Sequence, residues 1–222
     1  ATHNETATGV TSDIGAIRKA LDATNHPAML FVDGVSSIAS MDFQFDEWGV
    51  DVAVTGSQKG FMLPSGLAIV GFSAKAMAAT KSASLPRTFF DVNDMVNGYS
   101  KNAYPYTPAV GLLNGLSQSC TLLLEEGLEN VFARHHRIAE GVRQAIKAWG
   151  LELCAADPSV YSDTGSTIRT PADFDATDMV THAAEKYGVA FGLGLGELAG
   201  KVFRIGHLGS LTDVSVSYTH LR

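Results

Sequence analysis

The stretch Val54-Thr55-Gly56-Ser57-Gln58-Lys59-Gly60 places a lysine on a polar loop directly after an apolar run. Asp33 closes an earlier apolar run, Ala28-Met29-Leu30-Phe31-Val32. If both runs are strands of one parallel sheet, Asp33 and Lys59 open onto the same edge, where ligands of such sheets gather. A carboxylate and an amine converging there suit pyridoxal 5'-phosphate. The amine can form a Schiff base with the cofactor aldehyde, and the carboxylate can keep the pyridine nitrogen protonated, so that the ring accepts electrons from a substrate α-carbon. On spacing alone this signal is modest, because lysines in Gly/Ser loops are mostly solvated and strand-end aspartates mostly make turns.

The elements that must position these two residues read as an α/β layer arrangement. Thr11-Ser12-Asp13 offers N-caps for a helix with Ile14, Ile17, Arg18, Ala20 and Leu21 at helical spacing, broken at His26-Pro27. Ala28–Val32, Val50–Thr55 and Leu67–Phe72 read as buried strands of a largely parallel or mixed sheet, with a short helix over Phe43–Gly49. From Ala83 to Pro108 the chain reads as irregular, rich in proline and aromatics, which predicts a functional or interface segment. Long helices are expected over Ala109–Glu126 and Leu128–Trp149, each followed by a glycine. After Gly150 a smaller α/β unit is expected: strands at Leu151–Cys154, Thr167–Arg169 and Val202–Ile205, and a helix at Asp175–Tyr187.

Composition narrows the classes. The chain has 222 residues, 45% hydrophobic and 18% charged, a globular balance. A net charge of −7 and the lack of a basic stripe argue against a nucleic-acid surface. No apolar run is long enough to span a membrane and no leader segment is visible, so a cytoplasmic or organelle-matrix location is expected. Cys120 and Cys154 read as free thiols. His135 and His136 are helix neighbours pointing about 100° apart, unsuited to chelating one metal. "GLGLGELAG" (Gly192–Gly200) is followed by an apolar strand where a dinucleotide fingerprint needs a helix.

"HNETATGV" (3–10), "VDGVSS" (32–37), "DEWGVDVAVTGSQKG" (46–60), "YPYTP" (104–108), "EEGLENV" (125–131) and "GKVFRIGHLG" (200–209) occur in that order. Together they resemble the class V aminotransferases of fold type I, from about His3 to Asp213. The resemblance implies an α/β fold. Residues 1–140 would be the C-terminal part of a cofactor-binding large domain with a mostly parallel sheet. Residues 141–213 would be a small α/β domain, incomplete, and 214–222 an atypical tail without helical periodicity. It implies that Lys59 is the Schiff-base lysine and proton shuttle, and Asp33 the partner of the pyridine nitrogen. Thr6 would bond near the ring or Asp33, Val35 would pack on a cofactor face, and Gln58 would help hold the phosphate. Tyr104 and Thr107 would reach the phosphate of a neighbouring subunit, so the active site would belong to a homodimer. Arg204 would grip the substrate α-carboxylate through its planar guanidinium. His207 would be structural or support the site from behind.

The implied activity is transamination between an amino acid and a 2-oxo acid, from L-serine to glyoxylate. Alanine–glyoxylate transamination, or a broader specificity, is the alternative on the same scaffold. The resemblance also implies a missing N-terminal segment carrying the main phosphate cup. A catalytically silent fragment is therefore the rival from a different class. A peroxisomal location would follow for a eukaryotic source.

Overall fold

In the computed structural model, which describes residues 1–220 and the side chains of residues 1–216, the first element is a short hairpin of β1 (Asn4–Glu5) and β2 (Val10–Thr11). Helix α1 (Ile14–Ala23) follows. The Asp13 carboxylate caps it by accepting from the Ala16 N–H at 2.8 Å. Next come β3 (Phe31–Asp33), β4 (Val52–Gly56) and β5 (Ala68–Phe72), which form one sheet in that order. Over these three strands the sheet is mixed, one of the two arrangements expected from the strand pattern. β3 runs parallel to β4, with Asp33 opposite Val54, and β5 runs antiparallel to β4. A turn-and-return connection between β4 and β5 is too short for a parallel crossover, which explains the reversal.

That sheet is buried on one face. Ile14 of α1 packs with Leu30, Val32, Val50 and Ala53, and Phe43, Phe45 and Trp48 close the cluster. The residues from Phe43 to Gly49, expected to be a short helix, fold instead as successive turns that deliver these aromatics. Phe31 and Val70, on the other face, are exposed, so the expectation of strands buried on both sides does not hold for this chain.

Two short helices, α2 (Ala74–Ala79) and α3 (Val92–Tyr99), come next. α3 lies inside the stretch expected to be irregular; Asp91 caps it by accepting from the Asn93 N–H at 2.9 Å, a local signal hidden among the prolines. The long helices α4 (Val110–Glu126) and α5 (Leu128–Ala148) match the periodic reading and meet at Gly127. Beyond them lie β6 (Glu152–Leu153), β7 (Gly165–Arg169), α6 (Ala176–Tyr187), β8 (Gly192–Leu193) and β9 (Val202–Gly206). These strands form an antiparallel sheet in the order β6-β7-β9-β8. Ile138, Val142 and Ile146 of α5 pack onto Ile168, Phe203 and Ile205 of this sheet. Cys120 and Cys154 are free thiols.

The tail departs from its reading. Although no helical periodicity is visible after Asp213, α7 spans Asp213–His220. Thr212 and Ser215 supply a cap, the Ser215 N–H donating to Thr212 Oγ1 and the Thr212 N–H to Ser215 Oγ, and Val216 is buried against the α5 core. Capping and one anchoring valine suffice where an apolar stripe is absent. Leu221 and Arg222, at the end of that tail, lie outside the described residues.

Candidate active site

Lys59 sits on a tight turn after β4, and the turn is held from below. Ser57 is fully buried, its hydroxyl donating to the Pro64 carbonyl at 2.7 Å while its own carbonyl accepts from the Leu63 N–H. A Cβ on Gly60 would collide with the carbonyl oxygen of Ile38, so only glycine lets the lysine turn lie against the turn that follows Asp33. The parallel register of β3 and β4 thus brings the Asp33 and Lys59 turns together at the carboxyl ends of both strands.

Above the lysine lies a cavity of about 180 Å³, whose wall includes Lys59, Thr6 and Arg204 together with Asn4, Glu5 and Ser36. Arg204 enters from β9. Its Nε donates to the Leu193 carbonyl at 2.8 Å and its Nη1 to the Thr6 carbonyl at 3.3 Å. Two carbonyls therefore fix the guanidinium plane beside the cavity. The cavity is small, and its wall carries one amine and one guanidinium.

A buried polar knot ties three parts of this wall together. The Asn4 amide donates to Ser36 Oγ at 2.9 Å and to Thr164 Oγ1 at 3.0 Å, and the Thr164 hydroxyl donates to the Ser36 carbonyl at 2.7 Å. The hairpin, the Asp33 turn and the small sheet are thereby joined by charge-free hydrogen bonds. Asn4, Ser36 and Thr164 carry no signal of their own in the sequence. Asn4 and Ser36 lie within "HNETATGV" and "VDGVSS", which is the clue that could have singled them out.

A model of the Aminotransferase class-V family matches residues 1–196. The chain belongs to the class V aminotransferases. It is 72% identical to the L-aspartate–glyoxylate aminotransferase of Paracoccus denitrificans, over 96% of this chain and 54% of that protein. It is 55% identical to the serine–glyoxylate aminotransferase of Hyphomicrobium methylovorum, over 97% of this chain and 54% of the relative. Among solved structures, pyridoxamine–pyruvate aminotransferase from Mesorhizobium loti superposes with a TM-score of 0.88 at 38% identity, covering 94% of this chain and 54% of that one. The chain spans about half the length of the curated relatives it matches.

As a class V aminotransferase of fold type I, the chain belongs to a family that works with pyridoxal phosphate. The residues present fit that group in part. Lys59 offers an amine on the cavity wall with no hydrogen-bond partner for its Nζ among the described residues, and Arg204 offers a pre-oriented guanidinium. Asp33 Oδ1 accepts from the Val35 N–H at 2.9 Å, which orients the carboxylate and leaves Oδ2 as an acceptor. Thr6 is exposed at the cavity mouth. Asp33, Val35 and Gln58 do not line the cavity itself. The Gln58 side chain folds back over Gly56, in space that a Cβ there would occupy. Tyr104 and Thr107 lie on the exposed segment between α3 and α4 and do not line the cavity either.

His207 plays a structural part next to the site. Its Nδ1 lies 3.2 Å from the Asp163 carbonyl and its Nε2 3.0 Å from Ser166 Oγ. A carbonyl only accepts, so Nδ1 carries the proton and Nε2 takes the serine O–H. Burial pushes its pKa from 6.5 down to about 4. Between those values the unfolded chain holds a proton on this imidazole that the folded chain does not, so stability falls as the pH drops through that window. The expected contribution is about 3 kcal/mol, fully present above pH 6.5. His3 and His135 act in the same direction, since burial lowers both. Urea unfolding at about pH 7 and about pH 4.5 measures the effect. His207→Gln should flatten much of the difference, and an unchanged pH slope would show that His207 does not carry it.

Proposed function

We propose that the protein carrying this chain is a pyridoxal-phosphate-dependent aminotransferase that moves an amino group from an L-amino acid to glyoxylate. The observation that carries this reading is the shared cavity of Lys59 and Arg204 in a chain of this family. When bound, the cofactor supplies an electron sink for the substrate α-carbon. Arg204 would hold the α-carboxylate through its guanidinium and so orient the α-carbon toward Lys59. Lys59 would take the α-proton and return it two bonds away, across the amino nitrogen, alternating as base and acid. Asp33 would hold a proton on the pyridine nitrogen, with Thr6 beside it, Val35 against the ring and Gln58 toward the phosphate.

Tyr104 and Thr107 would complete the phosphate site of a second copy. Their exposure on a segment outside the cavity of their own chain favours that reading, which makes a homodimer the working unit.

The resemblance read from the sequence points to L-serine as donor. The 72% identity to a relative named for L-aspartate moves our first choice to L-aspartate, with L-serine second on the strength of the relative at 55%. A donor panel with glyoxylate as acceptor, run on the natural full-length protein, decides between them. We expect aspartate to give a kcat/KM about tenfold or more above alanine. Turnover with serine alone would reverse the donor order, and turnover with no amino acid would overturn the aminotransferase reading.

A further inference from the structure

Helix α5 presents two adjacent polar side chains, Arg134 and His135, to the turn that follows β9. Both backbone groups of Gly209 are taken by this pair. The Gly209 N–H donates to His135 Nε2 at 3.0 Å, and the Gly209 carbonyl accepts from Arg134 Nη1 at 2.9 Å. The same Nη1 reaches the Leu211 carbonyl at 3.1 Å. His135 is almost wholly buried. Its Nδ1 lies 2.7 Å from the Val131 carbonyl one helical turn back, so that nitrogen carries the proton and Nε2 is left as an acceptor aimed at Gly209.

Arg134 is oriented in turn. Its Nε and Nη2 donate to the two oxygens of Glu126, at 2.7 and 2.9 Å. The fork fixes the guanidinium plane, and the same contact holds the Glu126 carboxyl below its usual range.

What the pair holds in place is the back of the lysine turn. Gly209 has φ +89, and a Cβ there would lie 3.5 Å from the Lys59 carbonyl oxygen and 3.5 Å from Met62 Cγ. That carbonyl also accepts from the Met62 N–H at 2.9 Å, closing the turn that carries Lys59. Leu208, between the anchored His207 and the clamped Gly209, lines the cavity, and Arg204 lies on the strand leading into it. Thus α5, β9 and the lysine turn meet at one residue, Gly209. Apolar packing alone would let these elements slide by fractions of an ångström; directional bonds to both backbone groups of one residue do not.

We propose that Arg134 and His135 are positioning residues that hold Gly209 against the Lys59 turn and so set the Lys59 amine at its working distance from the Arg204 guanidinium. The proposal rests on the reading of Lys59 as reactive amine and Arg204 as carboxylate anchor.

The test uses the natural full-length protein, its His135→Leu variant, and His135→Gln, whose amide oxygen can still take the Gly209 N–H. Hydrogen exchange of the amides from Gly60 to Leu63, measured without cofactor, reads the clamp directly. His135→Leu should lose protection at Met62 by about tenfold, and His135→Gln should recover most of it. With pyridoxal phosphate bound, His135→Leu should lower kcat by about tenfold to a hundredfold, with KM changed less than about twofold. It should also move the pH midpoint of the cofactor's visible absorbance.

If His135→Leu does not fold, Gly209→Ala strains the clamped residue itself through its φ of +89 and should give the same pattern. Unchanged exchange at Met62 in a folded variant would overturn the clamp. A wild-type protein that shows no visible band with pyridoxal phosphate would overturn the cofactor reading while leaving the exchange result to decide the clamp.

Discussion

Lys59→Ala is expected to lower transamination by about 10⁴-fold or more. Lys59 supplies the only side-chain amine on the cavity wall among the described residues, and in the proposed mechanism that amine would serve as both attachment point and proton carrier. Alanine removes both roles. Lys59→Arg keeps the charge and gives an informative control: a guanidinium stays protonated throughout the accessible pH range and cannot accept a proton. The arginine variant should therefore be nearly as inactive, which separates proton transfer from mere electrostatics. Fold loss is not the expected cause, because Lys59 Nζ bonds to no described residue and the turn is held by Ser57, Leu63 and Met62 through their backbones and one hydroxyl. Three measurements check the prediction: initial rates with glyoxylate and an amino donor, visible absorbance after addition of pyridoxal phosphate, and thermal unfolding. A folded Lys59→Ala protein keeping more than about one per cent of the activity would refute the assignment.

Arg204→Lys should reduce kcat/KM for the amino acid donor by a factor of about 10² to 10³, some 3 to 4 kcal/mol of lost recognition. Two of the three guanidinium nitrogens donate to carbonyls, Nε to Leu193 and Nη1 to Thr6, and these bonds fix the plane of the group on the cavity wall. A lysine ammonium can satisfy one carbonyl or a carboxylate but cannot hold that plane. The loss should fall mainly on KM if the contact serves binding alike in ground and transition states. An amine donor lacking the α-carboxylate is the decisive comparison. Its slow turnover should be the same in wild type and Arg204→Lys, whereas an equal loss for both donors would mean that Arg204 acts on the cofactor site and not on the substrate.

Much of the machinery is legible in local sequence. The Asp13 cap and the spacing of Ile14, Ile17 and Leu21 specify α1, and Val131, Ile138, Val142 and Ile146 mark the inward face of α5. These signals reach only three or four residues, the range over which a helix turn or a cap acts. The same rule explains the misreadings. Phe43, Phe45 and Trp48 have helix-compatible spacing but are drawn into turns by packing against Ile14 and Val32. α7 has no apolar stripe and is held by its cap and by Val216 docking on a core assembled from distant residues.

For the site itself, the residue types and motif order in the sequence were enough to place the chain in its family and to nominate Lys59, Asp33 and Arg204 as the candidate chemical actors. What they left undecided was which of these residues share a space. Lys59 and Arg204 face one cavity because β4 ends beside β3 in one sheet while β9 lies in another, and the Asn4–Ser36–Thr164 knot docks the two. Tyr104 and Thr107 stay outside that space, and Gly209 becomes the meeting point of α5 and the lysine turn. Contacts between residues so far apart in the chain depend on sheet order, register and packing, which no short window of residues encodes. The lysine after β4 is a property of the sequence; the guanidinium across from it is a property of the fold.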